Sequence, residues 1–168
     1  MKKILFAASE AVPFMKTGGL ADVTGSLPKY FDKKNYDVRV ILPKYVCMEE
    51  RWKGQLHFLC HFYVNLSWRK QYVGIFETTY DGITYYLVDN EFYFAGNAPY
   101  NNIYEDVEKF AFFSKAVLEA LPYLDFWPDV IHCHDWQTGL VPVFLRTFYG
   151  DQRCYSNIRT VFSVHNLK

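Results

Sequence analysis

Net charge is absent from this 168-residue sequence: 18 Lys and Arg are matched by 18 Asp and Glu. A nucleic-acid binder ordinarily carries a basic excess to neutralise phosphates, so that class is demoted. Long hydrophobic runs are missing too, and none approaches the roughly 18 residues of a membrane helix. Met1 to Ser9 opens like a secretory leader. Glu10, however, cuts the apolar stretch short of the about 7–15 residues such a leader needs. Cysteine is sparse: Cys47, Cys60, Cys133 and Cys154 form no C-x-x-C pair and no metal-ligand spacing. Cys47 and Cys60 could pair by count alone, yet without a leader all four read as reduced thiols of a cytoplasmic protein. Internal repeats and Pro/Gly/Ser-rich linkers are lacking. Charged residues at 21% against 51% apolar exclude disorder. About one domain is expected at this length, with a core that needs neither disulfide nor metal.

Aromatic residues are what the sequence has in excess: 14 Tyr, 15 Phe and 4 Trp make up 20% of it. The plain reading is a bulky core with scattered tyrosines. The functional reading is a surface that stacks on flat or ring-shaped ligands.

The apolar pattern predicts an α/β fold. Lys3–Ala8 is a short continuous apolar run, as in a buried parallel strand. A polar loop, Ser9 to Gly19, leads into a helical stripe of Leu20, Val23, Leu27, Tyr30 and Phe31, in which Pro28 predicts a kink or break. Asp37–Leu42 is the next strand, completing a unit typical of doubly wound sheets. Gln55–Leu66, Arg69–Thr79 and Ile83–Val88 then read as an antiparallel meander, with Asp81-Gly82 as a hairpin turn. Glu91–Ile103 is a loop of a length that is often functional. Val107 to Leu121 predicts a helix ending near Pro122. Val130–Cys133 is a strand, a helix starts at about Gln137, and Arg159–Val164 is a further strand. The chain stops on the exit of that strand, which suggests a fragment of a longer protein.

Three polar segments follow predicted parallel strands: Ser9–Asp22, His132–Thr138 and His165-Asn166. Open α/β sheets bind ligands at those strand ends. Lys16-Thr17-Gly18-Gly19 before a helix suits a phosphate or diphosphate, through backbone N–H groups and a positive charge. Its spacing fits neither a Walker loop nor G-x-G-x-x-G, and it reads equally as a glycine turn with a solvated lysine. His132 and His134 share a strand face and suggest metal ligands, but Asp135 is adjacent to His134 and few other ligands remain. Asp135 could instead hold a sugar hydroxyl beside Trp136, or cap the following helix. His165-Asn166 could be no more than the start of a loop. Tyr104, Asp106 and Lys109 read as a solvated first turn.

Ser9–Val23, with its Lys16-Thr17-Gly18-Gly19 core, resembles the N-terminal signature of bacterial glycogen synthases and plant starch synthases (glycosyltransferase family 5). Leu27-Pro28 and Val38–Pro43 continue it. Lys109-Phe110-Ala111-Phe112-Phe113-Ser114 is similar to the family's Arg-Phe-Ala-Phe-Phe-Ser run. Pro128–Pro142 resembles its Asp-Trp-His segment, and Ser163–Leu167 its His-Asn-Leu segment. The resemblance implies the Rossmann-like N-terminal domain of a GT-B glycosyltransferase, a parallel sheet core with an added antiparallel β meander. A C-terminal nucleotide-binding domain, absent here, would form the other wall of the cleft. The implied reaction moves glucose from ADP-glucose to the non-reducing end of an α-1,4-glucan with retention, needing no metal or other cofactor.

By the same resemblance, Lys16, Gly18 and Gly19 would meet the donor diphosphate and glucose. His165 would lie against the donor glucose, and Asp135 would be the cleft carboxylate. Glu10, Tyr104, Trp136 and Asn166 would serve the acceptor side or shape the cleft. Two departures stand out. Gln137 replaces the usual His, and Lys109 replaces the usual Arg, keeping the charge but losing the bidentate fork. The competing readings are a non-catalytic glucan-binding module built on aromatics and a metal-dependent hydrolase using His132 and His134.

Overall fold

The computed structural model describes residues 1–166; Leu167 and Lys168, the end of the His-Asn-Leu segment, lie outside the described residues. The strands are β1 (Lys2–Ala7), β2 (Tyr36–Pro43), β3 (His57–Leu66), β4 (Arg69–Tyr80), β5 (Ile83–Asp89), β6 (Val130–His134) and β7 (Arg159–Ser163). The α-helices are α1 (Gly19–Ser26), α2 (Glu50–Lys53), α3 (Ile103–Leu124) and α4 (Leu140–Phe148). The strands, seven among the described residues, form one sheet in the order β3-β4-β5-β2-β1-β6-β7.

β5, β2, β1, β6 and β7 run parallel. The antiparallel addition is therefore the β3–β4 hairpin, paired to β5. The third run of the expected meander, Ile83–Val88, belongs to both parts, antiparallel to β4 and parallel to β2 in register Arg39↔Thr84. Its burial explains this: Tyr85, Tyr86, Leu87 and Val88 are all inaccessible, as in a strand covered on both faces. The β4–β5 turn has Asp81 at φ 49° and Gly82 at φ 73°, the two positive values a tight two-residue hairpin requires.

Period-2 alternation divides the core. Leu5, Ala7, Ile41, Tyr86, Val88, Ile131 and Cys133 face α3 and α4. Phe6, Val38, Val40, Leu42, Tyr85 and Leu87 face the opposite layer with Ala11 and Phe14. There α1 packs tightly on the loop before it. A Cβ at Gly25 would overlap the Val12 side chain and lie 2.5 Å from its carbonyl oxygen.

The two prolines behave differently. Pro28 ends α1, which closes as a 3₁₀ turn over Leu27–Tyr30. Pro122 does not end α3, which continues to Leu124 and stops at Asp125 with φ 47°. A proline inside a helix frees the carbonyl four residues earlier. That carbonyl is Leu118, and it accepts a hydrogen bond of 2.8 Å from the Tyr155 hydroxyl. The helix therefore tolerates Pro122 because a side chain outside it replaces the missing donor.

Candidate active site at the sheet switch point

From β1 the chain moves outward to β2, and later returns through α3 to β6 on the other side of β1. The strand order thus reverses between β1 and β6, and a crevice opens at their carboxyl ends. A pocket of about 270 Å³ lies there, lined by Glu10, Thr17, Gly18, Gly19, Leu20, Tyr100, Asp135, Trp136, Gln137 and Asn166. All three polar segments singled out in the sequence reach it.

Glu10 is buried and organises the first segment. Its Oε2 accepts from the Thr17 amide at 2.8 Å and the Thr17 hydroxyl at 2.7 Å, which folds the Lys-Thr-Gly-Gly loop back over the end of β1. Thr24 of α1 donates to the Glu10 carbonyl at 2.6 Å. Gly18 stands at the N-terminus of α1 with φ −156°, and no side chain caps the helix there. A Cβ on Gly18 would come no closer than 4.0 Å to Glu10, and one on Gly19 would meet nothing. Neither backbone nor packing demands these two glycines, in contrast to Gly25. They leave the N-terminus of α1 open, the kind of position at which backbone N–H groups can meet an anion. Lys16 does not line the pocket; its Nζ donates to Asp22 at 2.8 Å in an exposed pair.

Asp135 is buried, and its role differs from a helix cap. No side-chain cap bond forms, so the capping expectation is corrected. Its Oδ1 instead accepts from the backbone amides of His165 and, at 3.1 Å, Asn166; Oδ2 lies 3.4 Å from the Asn166 carboxamide. Its own amide donates to Ser163 at 2.9 Å. The carboxylate thus fastens the end of β7 to the end of β6. It does so from φ 61° and ψ 177°, a region almost reserved for glycine. Such strain persists only where the surroundings enforce it, and it clusters at functional sites.

The loop before α3 adds Tyr100, which sequence reasoning missed. Its hydroxyl pairs with Ser9 Oγ at 2.7 Å, and Tyr45 donates to the Ser9 carbonyl at 2.7 Å. Burial pushes the Tyr100 phenol well up, and the Glu10 and Asp135 carboxylates add to this. The first turn of α3 is not the solvated turn its composition suggests. Asp106 and Lys109 are buried and paired at 2.9 Å, Lys109 also donates to the Pro99 carbonyl, and Asp106 accepts from the Asn101 amide. This buried pair fixes the loop carrying Tyr100, so Lys109 serves structure without needing a guanidinium fork. Tyr104 is 87% exposed and lies outside the pocket. Trp136 lines it, edge-on to Phe110 at 5.4 Å.

The histidines stack rather than converge. His132 Nε2 meets Ser163 Oγ at 2.7 Å, and His134 Nδ1 meets His165 Nε2 at 3.0 Å. Burial lowers the pKa of His132, and lowers that of His134 to about 3 with help from the neighbouring imidazoles. Among the described residues no three His, Cys, Asp or Glu side chains are grouped to hold a metal ion. The hydrolase reading therefore lacks a donor set. All four cysteines are free, and burial raises the Cys133 thiol to about 12, which keeps it protonated and inert.

Fold and site together define a doubly wound α/β domain with an open glycine loop and a buried carboxylate at its switch point. The chain belongs to the starch synthase catalytic domain family, whose model matches residues 3–168. It is 64% identical over its whole length to a glycogen synthase of Lachnoclostridium phytofermentans, and 58% identical to one of Lachnospira eligens. It spans 35% of the length of each of these curated relatives. Its fold matches the catalytic domain of starch synthase IV from Arabidopsis thaliana bound to ADP and acarbose. The TM-score is 0.85 at 30% identity, covering 98% of this chain and 34% of that one. Among the described residues no helix is long and apolar enough to cross a membrane.

Proposed function

We propose that this chain is one wall of a retaining glucosyltransferase cleft, which moves glucose from ADP-glucose to the non-reducing end of an α-1,4-glucan. The observation that carries the reading is the glycine pair at the switch point. Gly18 and Gly19 leave the N-terminus of α1 open beside Asp135, Asn166 and Trp136. A departing diphosphate gains negative charge, which a helix N-terminus and a nearby ammonium stabilise. Lys16 supplies the ammonium by exchanging its exposed partner Asp22 for the more highly charged diphosphate. His165 contacts the donor glucose. Asp135 holds the His165-Asn166 corner and presents its carboxylate to the reacting sugars. Glu10 braces the donor loop, while Trp136, Asn166 and Tyr104 serve the glucan side. A C-terminal domain of the same longer chain completes the nucleotide site, and the reaction takes place in the cytoplasm without a metal. The ADP and acarbose bound by the starch synthase IV relative support a nucleotide and a glucan-like ligand in such a cleft.

The test is incorporation of labelled glucose into glycogen from ADP-glucose and from UDP-glucose, by this chain and by a full-length chain containing it. The full-length chain is expected to transfer from ADP-glucose and the 168-residue chain to show none. Transfer by the short chain at the full-length rate would remove the need for a second wall. Glucan binding that survives loss of both Lys16 and Asp135, without transfer in any form, would favour a binding module.

A further inference from the structure

The imidazoles at the ends of β6 and β7 form a row. Ring centroids of His132 and His134 are 4.1 Å apart at 29°, and those of His134 and His165 are 5.3 Å apart at 12°. Phe6 lies 5.0 Å from His134. His134 is fully buried, whereas His165 is exposed. Between them, His134 Nδ1 and His165 Nε2 are 3.0 Å apart. His134 Nε2 is buried and has no hydrogen-bond partner among the described residues.

Two nitrogens at that distance share one hydrogen. If His165 donated it, His134 would carry its own hydrogen on Nε2, a buried N–H with nothing to receive it. If His134 donates it, Nε2 is left as a bare lone pair. Of the two, an orphaned buried N–H is the rarer outcome in folded proteins. A charged His134 is opposed by burial and by both neighbouring imidazoles. The hydrogen therefore sits on His134 Nδ1, and His165 Nε2 accepts it. A neutral His165 then carries its own hydrogen on Nδ1, the ring nitrogen turned away from His134. Free neutral histidine favours the opposite form, with hydrogen on Nε2. The main chain of His165 is held separately by Asp135, so backbone and ring are fixed by different partners.

We propose that His134 is a positioning residue that locks His165 in the Nδ1–H form, so that the exposed ring offers a hydrogen-bond donor to an oxygen of the bound sugar or phosphate. The ligand half of this statement rests on the glucosyl-transfer reading above; the tautomer half does not. Long-range proton–nitrogen correlation spectra of the chain, labelled on histidine nitrogen at about pH 8, report which ring nitrogen holds the hydrogen. His165 is expected in the Nδ1–H form. His134→Phe keeps a flat ring but no donor, and His165 should revert to Nε2–H. His134→Asn returns an N–H close to the Nδ1 position and should restore Nδ1–H. A role confined to packing would leave the His165 tautomer the same in all three chains.

Wild-type His165 found as Nε2–H overturns the proposal, as does Nδ1–H persisting in His134→Phe. If His134→Phe does not fold, the wild-type and His134→Asn spectra decide by the same criterion. The ligand half is read in the full-length chain, where His134→Phe should lower turnover and His134→Asn should recover it. Turnover unchanged in His134→Phe, with the tautomer switched, overturns that half. Absence of any glucosyl transfer by the wild-type full-length chain refutes the functional reading and leaves the tautomer result standing.

Discussion

Replacing Asp135 by Asn, Gly and Ala separates its charge, its clamp and its backbone strain. Asn keeps an acceptor for the His165 and Asn166 amides but removes the charge. A hydrogen bond to a charged group is worth about 1.5–3 kcal/mol against about 1 for a neutral one. Both residues whose amides donate to it, His165 and Asn166, are exposed, so water compensates in part, and Asp135→Asn should cost about 1 kcal/mol. In a chain of this size that lowers Tm by about 2–4 °C. Ala removes the clamp while keeping φ 61° and ψ 177°, for a loss of about 2–3 kcal/mol. Gly removes the clamp too but relieves strain of about 1–3 kcal/mol, less about 0.5–1 for its greater freedom when unfolded. The expected order of Tm is Asn, then Gly, then Ala, with Gly up to about 10 °C above Ala. In the full-length chain Asp135→Asn should lose about 10²–10³ in turnover, the usual cost of one preorganised charge-handling group. The checks are calorimetric Tm and labelled-glucose incorporation on the same preparations. Gly no more stable than Ala would refute the strain argument. Near-normal turnover in Asp135→Asn would show the carboxylate to be a structural clamp and nothing more.

Lys16→Ala should shift stability by no more than about 0.5 kcal/mol, because its pair with Asp22 is exposed, yet reduce full-length turnover about 10²–10³-fold; normal turnover would dissociate Lys16 from the diphosphate. Gly19→Ala should leave Tm nearly unchanged, since a Cβ meets nothing, while raising KM for the donor; an unchanged KM would mean that no ligand passes there. Tyr155→Phe should destabilise by about 1–3 kcal/mol in urea titration by stranding the Leu118 carbonyl inside the fold, and no loss would show that Pro122 needs no substitute donor. His134 has a folded pKa near 3, well below its ordinary 6.5. The unfolded chain therefore takes up a proton that the folded chain refuses, and this contribution to stability is complete above about pH 6.5 and is lost progressively toward pH 3. Tm measured across that window should fall less steeply in His134→Asn than in the wild type.

Most of the architecture is legible in short apolar runs bounded by Pro, Gly and Asp-Gly, because buried parallel strands need no polar face. The pattern fails where a strand joins two kinds of partner: nothing local to Ile83–Asp89 says that one edge meets β4 antiparallel and the other meets β2 parallel. It fails again at Pro122, whose helix-breaking rule is overridden by a hydroxyl 33 residues later in the chain. In the site, residue types at strand ends reveal Asp135, Asn166 and the glycines. The bonds that hold them are invisible in sequence because they are long-range. Tyr100 reaches Ser9 across 91 residues, and Asp135 reaches Asn166 across 31. Buried charge is equally hidden, since Asp106 and Lys109 look solvated until the Pro99–Asn101 loop closes over them.

The place of β1 in the sheet has a consequence for how the chain is made. It precedes the other six strands in the sequence, yet it lies at the middle of the parallel sheet, with β2 on one side and β6 on the other. The β2 side is satisfied early, once Tyr36–Pro43 has emerged. The β6 side stays open until Val130–His134 arrives, and the Lys3 amide finds Asp129 only then, across 126 residues. From the synthesis of β2 until that of β6 the nascent chain therefore presents a bare apolar edge beside Ser9 and Glu10. Such an edge is what folding chaperones recognise and what aggregation exploits. The crevice between β1 and β6 forms in one event when β6 arrives rather than growing strand by strand. Yield in cells should accordingly be governed by how long synthesis takes to travel from β2 to β6.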